Sequence, residues 1–350
     1  MPNPGEPLRV GVVGVGAFGR NHARVYRDLQ SQPSQNVKLI AVVDSDFALA
    51  QAVAKEFGAL AFPCVPELIQ AGVQAASVAV PTAFHLDVAR QLMAKGIDLL
   101  VEKPVTATLA EADEMIGLAE RYGCIVQIGH LERFNPAVRA TIPLLTQPMF
   151  FEVHRLSVFT PRSLDVDVVL DLMIHDIDIV LTFARSAVKE IRAVGLPILS
   201  PKTDIANVRM EFESGCVANF TASRVSTERV RKLRFFQPRQ YISVDYSRQD
   251  VLVLTIDGAM PHEDVLDPFN PASVVAGALP GITPFKPAVE SQEPLRAELT
   301  SFLRAVRERS TPEVTLEDGR RALAVATQVV EAIAEHSRRV RLPELTRAGS

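Results

Sequence analysis

The chain has 350 residues, enough for two domains with a full core each. A composition 47% apolar and 22% charged excludes wholesale disorder, and a formal net charge of −4 leaves no basic field for a nucleic-acid backbone. Three widely spaced cysteines (Cys64, Cys124 and Cys216) form no metal-type cluster, so reduced thiols and no bound metal are expected. The N-terminus carries no basic n-region, and no apolar run is long enough to span a bilayer. A cytoplasmic protein without a membrane partner is therefore expected.

Leu8–Val13 reads as a buried strand, and Gly14-x-Gly16-x-x-Gly19 follows at once, with Ala17 and Phe18 before its last glycine. A helical pattern comes next, over 21–29. Alone the glycine spacing is a weak signal; strand before and helix after make it a dinucleotide fingerprint rather than a ligand-free turn. Gly14 permits the tight turn, Gly16 lets backbone approach a pyrophosphate, and Gly19 allows close helix–strand packing. The helix N-terminus then offers N–H groups and partial positive charge to phosphate. A second strand, Val37–Val43, ends in Asp44, an acid suited to the ribose hydroxyls and repelling a 2′-phosphate. No arginine follows directly, which favours NAD over NADP. Helices over 48–57, 87–95 and 109–122 alternate with strands over 75–80, 97–101 and 125–128, so the first half, 1–128, is predicted as an α/β, doubly wound parallel sheet. The turn holding Pro81, Thr82 and His85 and the tripeptide Glu102-Lys103-Pro104 follow strands of this sheet, where ligands bind. Lys103 has a plainer reading as a solvated strand-end lysine.

After Gly129 the pattern changes. Arg133 and Asn135 precede a short helix, and a strand follows over 150–159. Strands over 191–199, 207–212, 217–223, 231–236, 241–246 and 251–256 then lack intervening helices. They predict a large, mostly antiparallel sheet within an α+β domain, 129–350, with one face meeting another subunit as a homodimer or homotetramer. The cationic run 224–239 reads as a charged sheet face, touching an anionic ligand or a partner subunit. Residues 258–293 are rich in proline and read as a long excursion rather than a folded unit. Two amphipathic helices over 295–309 and 316–338 close the chain and are expected to pack back towards the first domain.

Between strands of that second half, Asp171, His175 and Asp178 fall at i, i+4 and i+7, one face of a helix otherwise built from Leu, Met, Ile and Val. Ionisable groups among hydrocarbon need partners, and His175 lies within reach of Asp171. The plainer alternative is a helix-capping aspartate above a hydrogen-bonded core histidine.

Together, Gly14-x-Gly16-x-x-Gly19, Glu102-Lys103-Pro104 and Asp171-x-x-x-His175-x-x-Asp178 resemble the Gfo/Idh/MocA oxidoreductases over nearly the whole chain. The resemblance implies an NAD-dependent dehydrogenase in which Lys103, near the nicotinamide, and His175 flank the reacting carbon, with Asp171 completing a hydrogen-bonded trio. Where many members carry a glycine run before the histidine motif, this chain has Asp165-Val-Asp167-Val-Val169. That stretch, with the segment 129–136, is similar to the branch oxidising the 3-hydroxyl of UDP-N-acetylglucosamine for a partner aminotransferase. Arg133, Asn135 and Asp167, together with Asp171 and His175, would then lie beside the sugar; for Arg133 a salt bridge fixing a hinge is an equal alternative. His175 as general base and Lys103 as donor to the developing alkoxide could exchange roles. A free polyol or hexose substrate, or a non-catalytic NAD-binding sugar sensor, are the competing readings.

Overall fold

The computed structural model describes residues 5–160, 166–256 and 282–340. They divide into two compact units, 5–134 with 292–324, and 135–291 with the rest of the last helix. In the first unit β1 (Leu8–Val13), β2 (Val37–Val43), β3 (Leu60–Phe62), β4 (Ala75–Val78), β5 (Asp98–Glu102) and β6 (Val126–Gly129) form one sheet in the order β3-β2-β1-β4-β5-β6. Every pairing is parallel, as expected. Such strands are covered on both faces, which is why β4, β5 and β6 are buried at every position. The crossovers carry α1 (Ala17–Gln30), α2 (Phe47–Phe57), α3 (Val65–Gln70), α4 (His85–Met93) and α5 (Leu109–Tyr122). The short β3 and α3 fill a stretch for which the sequence reading had no element.

The second unit begins with α6 (Pro136–Thr141) and β7 (Phe150–Val158), followed by α7 (Ile174–Ala184), β8 (Val188–Leu196), β9 (Ile205–Phe212), β10 (Val217–Ser226), β11 (Val230–Gln237), β12 (Gln240–Asp245), β13 (Asp250–Ile256) and β14 (Ile282–Phe285). The sheet order is β14-β13-β12-β11-β7-β10-β9-β8, antiparallel except for the parallel pair β7–β10. β14 corrects the expectation that 258–293 holds no folded element: Ile282–Phe285 pairs with β13 because backbone pairing needs no side-chain alternation. The remainder of that stretch, 258–281, lies outside the described residues.

One face of this sheet is buried by α7, where Phe183 meets Phe235 edge-on at 5.8 Å. A buried ion pair fixes the helix to the sheet. Arg155 of β7 donates Nε–H to Oδ2 of Asp176 at 2.6 Å and a second N–H to Oδ1 at 2.9 Å, with both side chains under 5% exposed. A forked pair of this kind sets orientation more than stability. The helix starts with a π turn over Val169–Met173, in which the Ile174 N–H donates to the Val169 carbonyl. That wider turn offsets Asp171 from the regular helical face assumed from sequence.

Two further helices complete the chain. α8 (Pro294–Glu308) belongs to the first unit and buries Leu295, Leu299, Phe302, Leu303 and Val306 in the core containing Tyr26 and Leu29. In α9 (Leu316–Val340), Gly319 packs on Ile128 and Val105 in the first unit, and Ile333 on Gly195 in the second. No helix among the described residues is long and apolar enough to cross a membrane.

Glu298 sits on the buried face of α8 with no exposed surface. Burial, and then the nearby charge of Glu102, raise its pKa well above the usual carboxylate range. A carboxyl whose folded pKa is raised contributes stability below its unfolded pKa, about 4.3, and loses it as pH climbs towards the folded value. Thermal melts of Glu298→Gln against wild type should therefore show a gap in favour of the variant that widens from pH 5 to 8, by at most about 1.4 kcal/mol per pH unit. A pH-independent gap would show that Glu298 does not titrate in this way.

Candidate active site

The carboxyl ends of β1, β2 and β4 open on a cavity of about 800 Å³ lined by Gly14, Gly16, Phe18, Asp44, Pro81 and Phe84, among others. The local chemistry follows from the glycines. Gly14 has φ +81°, and a Cβ there would lie 2.7 Å from the Ala79 carbonyl oxygen. A Cβ on Gly19 would collide with the Gly14 carbonyl at 1.8 Å. At Gly16, by contrast, a Cβ meets nothing within 4 Å, so the backbone faces open space where α1 begins. α1 has no side-chain cap, and Ala17, Phe18 and Gly19 form its first turn. This cradle fits a pyrophosphate. Asp44 is tied into the same turn: its Oδ2 accepts the Val15 N–H at 2.8 Å and its Oδ1 the Asp46 N–H at 2.9 Å. Among the described residues lining the cavity none is Lys or Arg, which suits free ribose hydroxyls better than a 2′-phosphate. The observed residues fit NAD.

The other strand-end residues differ in where they point. Lys103 is partly buried just past β5. Glu102 turns inward, where its Oε1 accepts from His22 Nε2 at 3.0 Å. His85 lies beneath the crevice, with Nδ1 3.0 Å from the Pro104 carbonyl and Nε2 3.0 Å from that of Val80. Burial pushes its pKa down while those carbonyls push it back up. It ties the end of β4 to the segment after Lys103. Thr82 opens the 3₁₀ turn between β4 and α4. Arg133 lies 3.7 Å from Asp318 in the first turn of α9, within the first unit.

In the second unit Asp167, Asp171 and His175 are half-buried and follow one another into α7. The Asp171 N–H donates to the Asp167 carbonyl at 2.9 Å, and the Val168 N–H to the Thr203 carbonyl at 3.0 Å. Burial raises the Asp167 pKa, and the Thr203 hydroxyl, Lys202 and Arg224 counter it. Asp165 lies outside the described residues. Asn135 is buried, capping α6 through the Ala137 N–H at 3.1 Å and donating to the Tyr246 carbonyl at 3.0 Å.

Two participants escaped the sequence reading. Arg224, taken for part of a charged face, is buried at the end of β10 and donates to the carbonyls of Val166 and Thr203, beside Asp204 at 3.5 Å. It clamps the segment leading into Asp167. Asp204 in turn collects the backbone N–H groups of Ile198, Leu199 and Ser200. His22 is the second; its place one turn beyond Gly19 was the available signal.

Comparisons with known proteins agree with this architecture. Residues 8–130 match the model of the oxidoreductase family with NAD-binding Rossmann fold, and 147–242 match the GFO/IDH/MocA C-terminal domain. The chain is 36% identical over 327 residues to the UDP-N-acetylglucosamine 3-dehydrogenase of Acidithiobacillus ferrooxidans, covering 93% of this chain and 97% of that one. A solved structure of that enzyme superposes with a TM-score of 0.83 at 35% identity over 93% of this chain and 97% of the other. The scyllo-inositol dehydrogenase of Lactobacillus casei, solved with bound NAD(H) and scyllo-inositol, shares the fold at a TM-score of 0.75 and 18% identity, over 95% and 98% of the two chains. The chain belongs to the Gfo/Idh/MocA family of oxidoreductases and carries that family's NAD-binding Rossmann domain.

Proposed function

We propose that the protein oxidises the 3-hydroxyl of UDP-N-acetylglucosamine to the 3-keto sugar, with NAD as the acceptor. The observation that carries the reading is 36% identity to a 3-dehydrogenase of that nucleotide sugar across nearly the whole of both chains. The first unit serves as the cofactor domain. The second serves as the substrate and assembly domain.

When bound, NAD supplies the hydride acceptor; the protein must orient the carbinol and remove its proton. His175 acts as general base, because imidazole titrates near neutral pH. Asp171 holds the imidazole tautomer and stabilises the imidazolium. Lys103 donates to the oxygen as negative charge develops on it, where a fixed cation in a water-poor site is strongly stabilising. Asp167 and Arg133 contribute to the sugar subsite, and Asn135, buried and engaged by Ala137 and Tyr246, holds the backbone that leads from Arg133 into α6. The 3-keto product suits an aminotransferase as the next enzyme, in amino-sugar synthesis for lipid A.

The face of the second sheet that carries Phe236 serves self-association. There Phe236 meets Phe150 and Tyr241 in tilted ring contacts, at 5.8 Å and 5.2 Å between centroids, beside the Arg234–Glu152 pair at 3.0 Å. Phe236 is 39% exposed in the single chain, and aromatic residues flanked by a polar rim are the usual anatomy of an interface. Light scattering should find a dimer or tetramer for the wild type and a smaller species for Phe236→Glu. A monomeric wild type would refute this assembly.

The function is tested by NADH absorbance on mixing protein, NAD⁺ and UDP-N-acetylglucosamine with a carbonyl trap, since alcohol oxidation by NAD⁺ is uphill near neutral pH. Free N-acetylglucosamine and myo-inositol serve as parallel substrates. The expected result is NADH with the nucleotide sugar only, and a fall in turnover of roughly 10²–10⁴ in His175→Ala. NADH with a free sugar only would move the substrate to the polyol class. Near-normal turnover in the variant at saturating substrate would remove His175 as the base.

A further inference from the structure

Under the cofactor crevice runs a buried polar chain that the proposed chemistry does not use. His22, on the second turn of α1, has no exposed surface. Its Nε2 lies 3.0 Å from Oε1 of Glu102, and its Nδ1 3.0 Å from the Ser77 hydroxyl on β4. That hydroxyl lies 2.9 Å from the Tyr26 hydroxyl, one turn further along α1.

The chemistry of these groups gives the chain a direction. Burial raises the Tyr26 pKa, so the phenol keeps its proton and has it to donate to Ser77. Ser77 has one proton of its own, which it can then share in a hydrogen bond with His22 Nδ1. An imidazole with its proton on Nε2 donates to Glu102 and accepts from Ser77 at Nδ1. In that arrangement one tautomer serves both contacts of the ring.

The surroundings are shaped to the same end. Gly129 pairs with Glu102 across β5–β6, and a Cβ there would sit 2.8 Å from the Glu102 carboxylate. The His22 ring also packs on Phe18, at 5.5 Å between centroids, and Phe18 lines the cofactor cavity. His22 thus touches both the fingerprint turn and the residue preceding Lys103. A buried His–carboxylate pair is weak support for stability, since hydrocarbon of equal volume packs there as well.

We propose that His22, oriented by Ser77 and Tyr26, is a positioning residue that holds Glu102 inward and thereby fixes the backbone of Lys103 just past β5. The inference rests on the reading of Lys103 as part of the reacting site. It assigns His22 no contact with substrate or cofactor. Its loss should affect the placement of the lysine more than the binding of the dinucleotide.

The test compares His22→Ala, Ser77→Ala and His22→Gln, the last keeping an N–H near the position of Nε2. Turnover is measured at saturating NAD⁺ and UDP-N-acetylglucosamine, and NADH affinity separately by fluorescence titration. Misplacing a reacting group by about 1 Å costs on the order of 10² in rate. Turnover in His22→Ala should fall by about that factor, with less loss in Ser77→Ala, substantial recovery in His22→Gln and little change in NADH affinity. Should His22→Ala fail to fold, Ser77→Ala and His22→Gln carry the comparison. Lys103 acetylation by limiting acetic anhydride, followed by mass spectrometry, needs no substrate and should differ between the wild type and the two alanine variants. A wild type inert towards the nucleotide sugar would count against the proposed substrate and leave the labelling to decide. Identical Lys103 labelling in all four proteins, or alanine variants with wild-type turnover, would overturn the proposal.

Discussion

The first unit depends on one close approach. Between β1 and α1 the chain passes so near β4 that a side chain at Gly14 would strike the Ala79 carbonyl, and one at Gly19 would strike Gly14 itself. Only glycine permits both. The consequence is geometric: α1 starts directly above the strand ends, with its first-turn N–H groups and the Gly16 backbone facing the cavity. Asp44 then closes the same turn through the Val15 N–H. A cradle that fits a phosphate and an acid that fits a ribose are thus two results of one backbone path.

The second unit solves a different problem, holding ionisable groups at the start of a helix that is otherwise hydrocarbon. The Arg155–Asp176 fork anchors α7 to β7 next to His175. Arg224 gathers carbonyls from Val166 and Thr203, so the segment entering the helix is held from its other side. Between these two anchors lies the π turn carrying Asp171. Such turns cost regular hydrogen bonding and occur often at functional sites, where they re-aim a side chain. Two buried arginines therefore set the frame within which Asp167, Asp171 and His175 are presented.

Much of this was legible in the residues. Alternation of apolar strands with amphipathic helices announced the doubly wound sheet, and the glycine fingerprint with Asp44 announced its ligand. Strands separated by turns announced the antiparallel sheet. What escaped has physical reasons. The parallel β7–β10 pair joins strands distant in sequence, and no local pattern reports such a partnership. β14 holds Pro284 and follows a proline-rich stretch, so its composition spoke against a strand although its backbone pairs. The π turn adds a residue to one helical repeat, a change that periodicity cannot detect. Arg224 has the same composition signature as its exposed neighbours, and only tertiary packing distinguishes a buried clamp from a solvated cation. Glu102 ends β5 and His85 opens α4, both near where ligands bind, yet their side chains turn beneath the crevice. Position along a strand can be read from sequence; the direction in which a polar side chain finds its partner cannot.

The central claim is that a hydride leaves C3 of a nucleotide sugar for NAD. The most direct measurement uses UDP-N-acetylglucosamine carrying deuterium at C3 only, with the nicotinamide recovered and weighed by mass spectrometry. The account predicts deuterium in the reduced nicotinamide, together with a 3-keto sugar that has lost it. Reduced nicotinamide without deuterium, or a product that retains it at C3, would contradict the account.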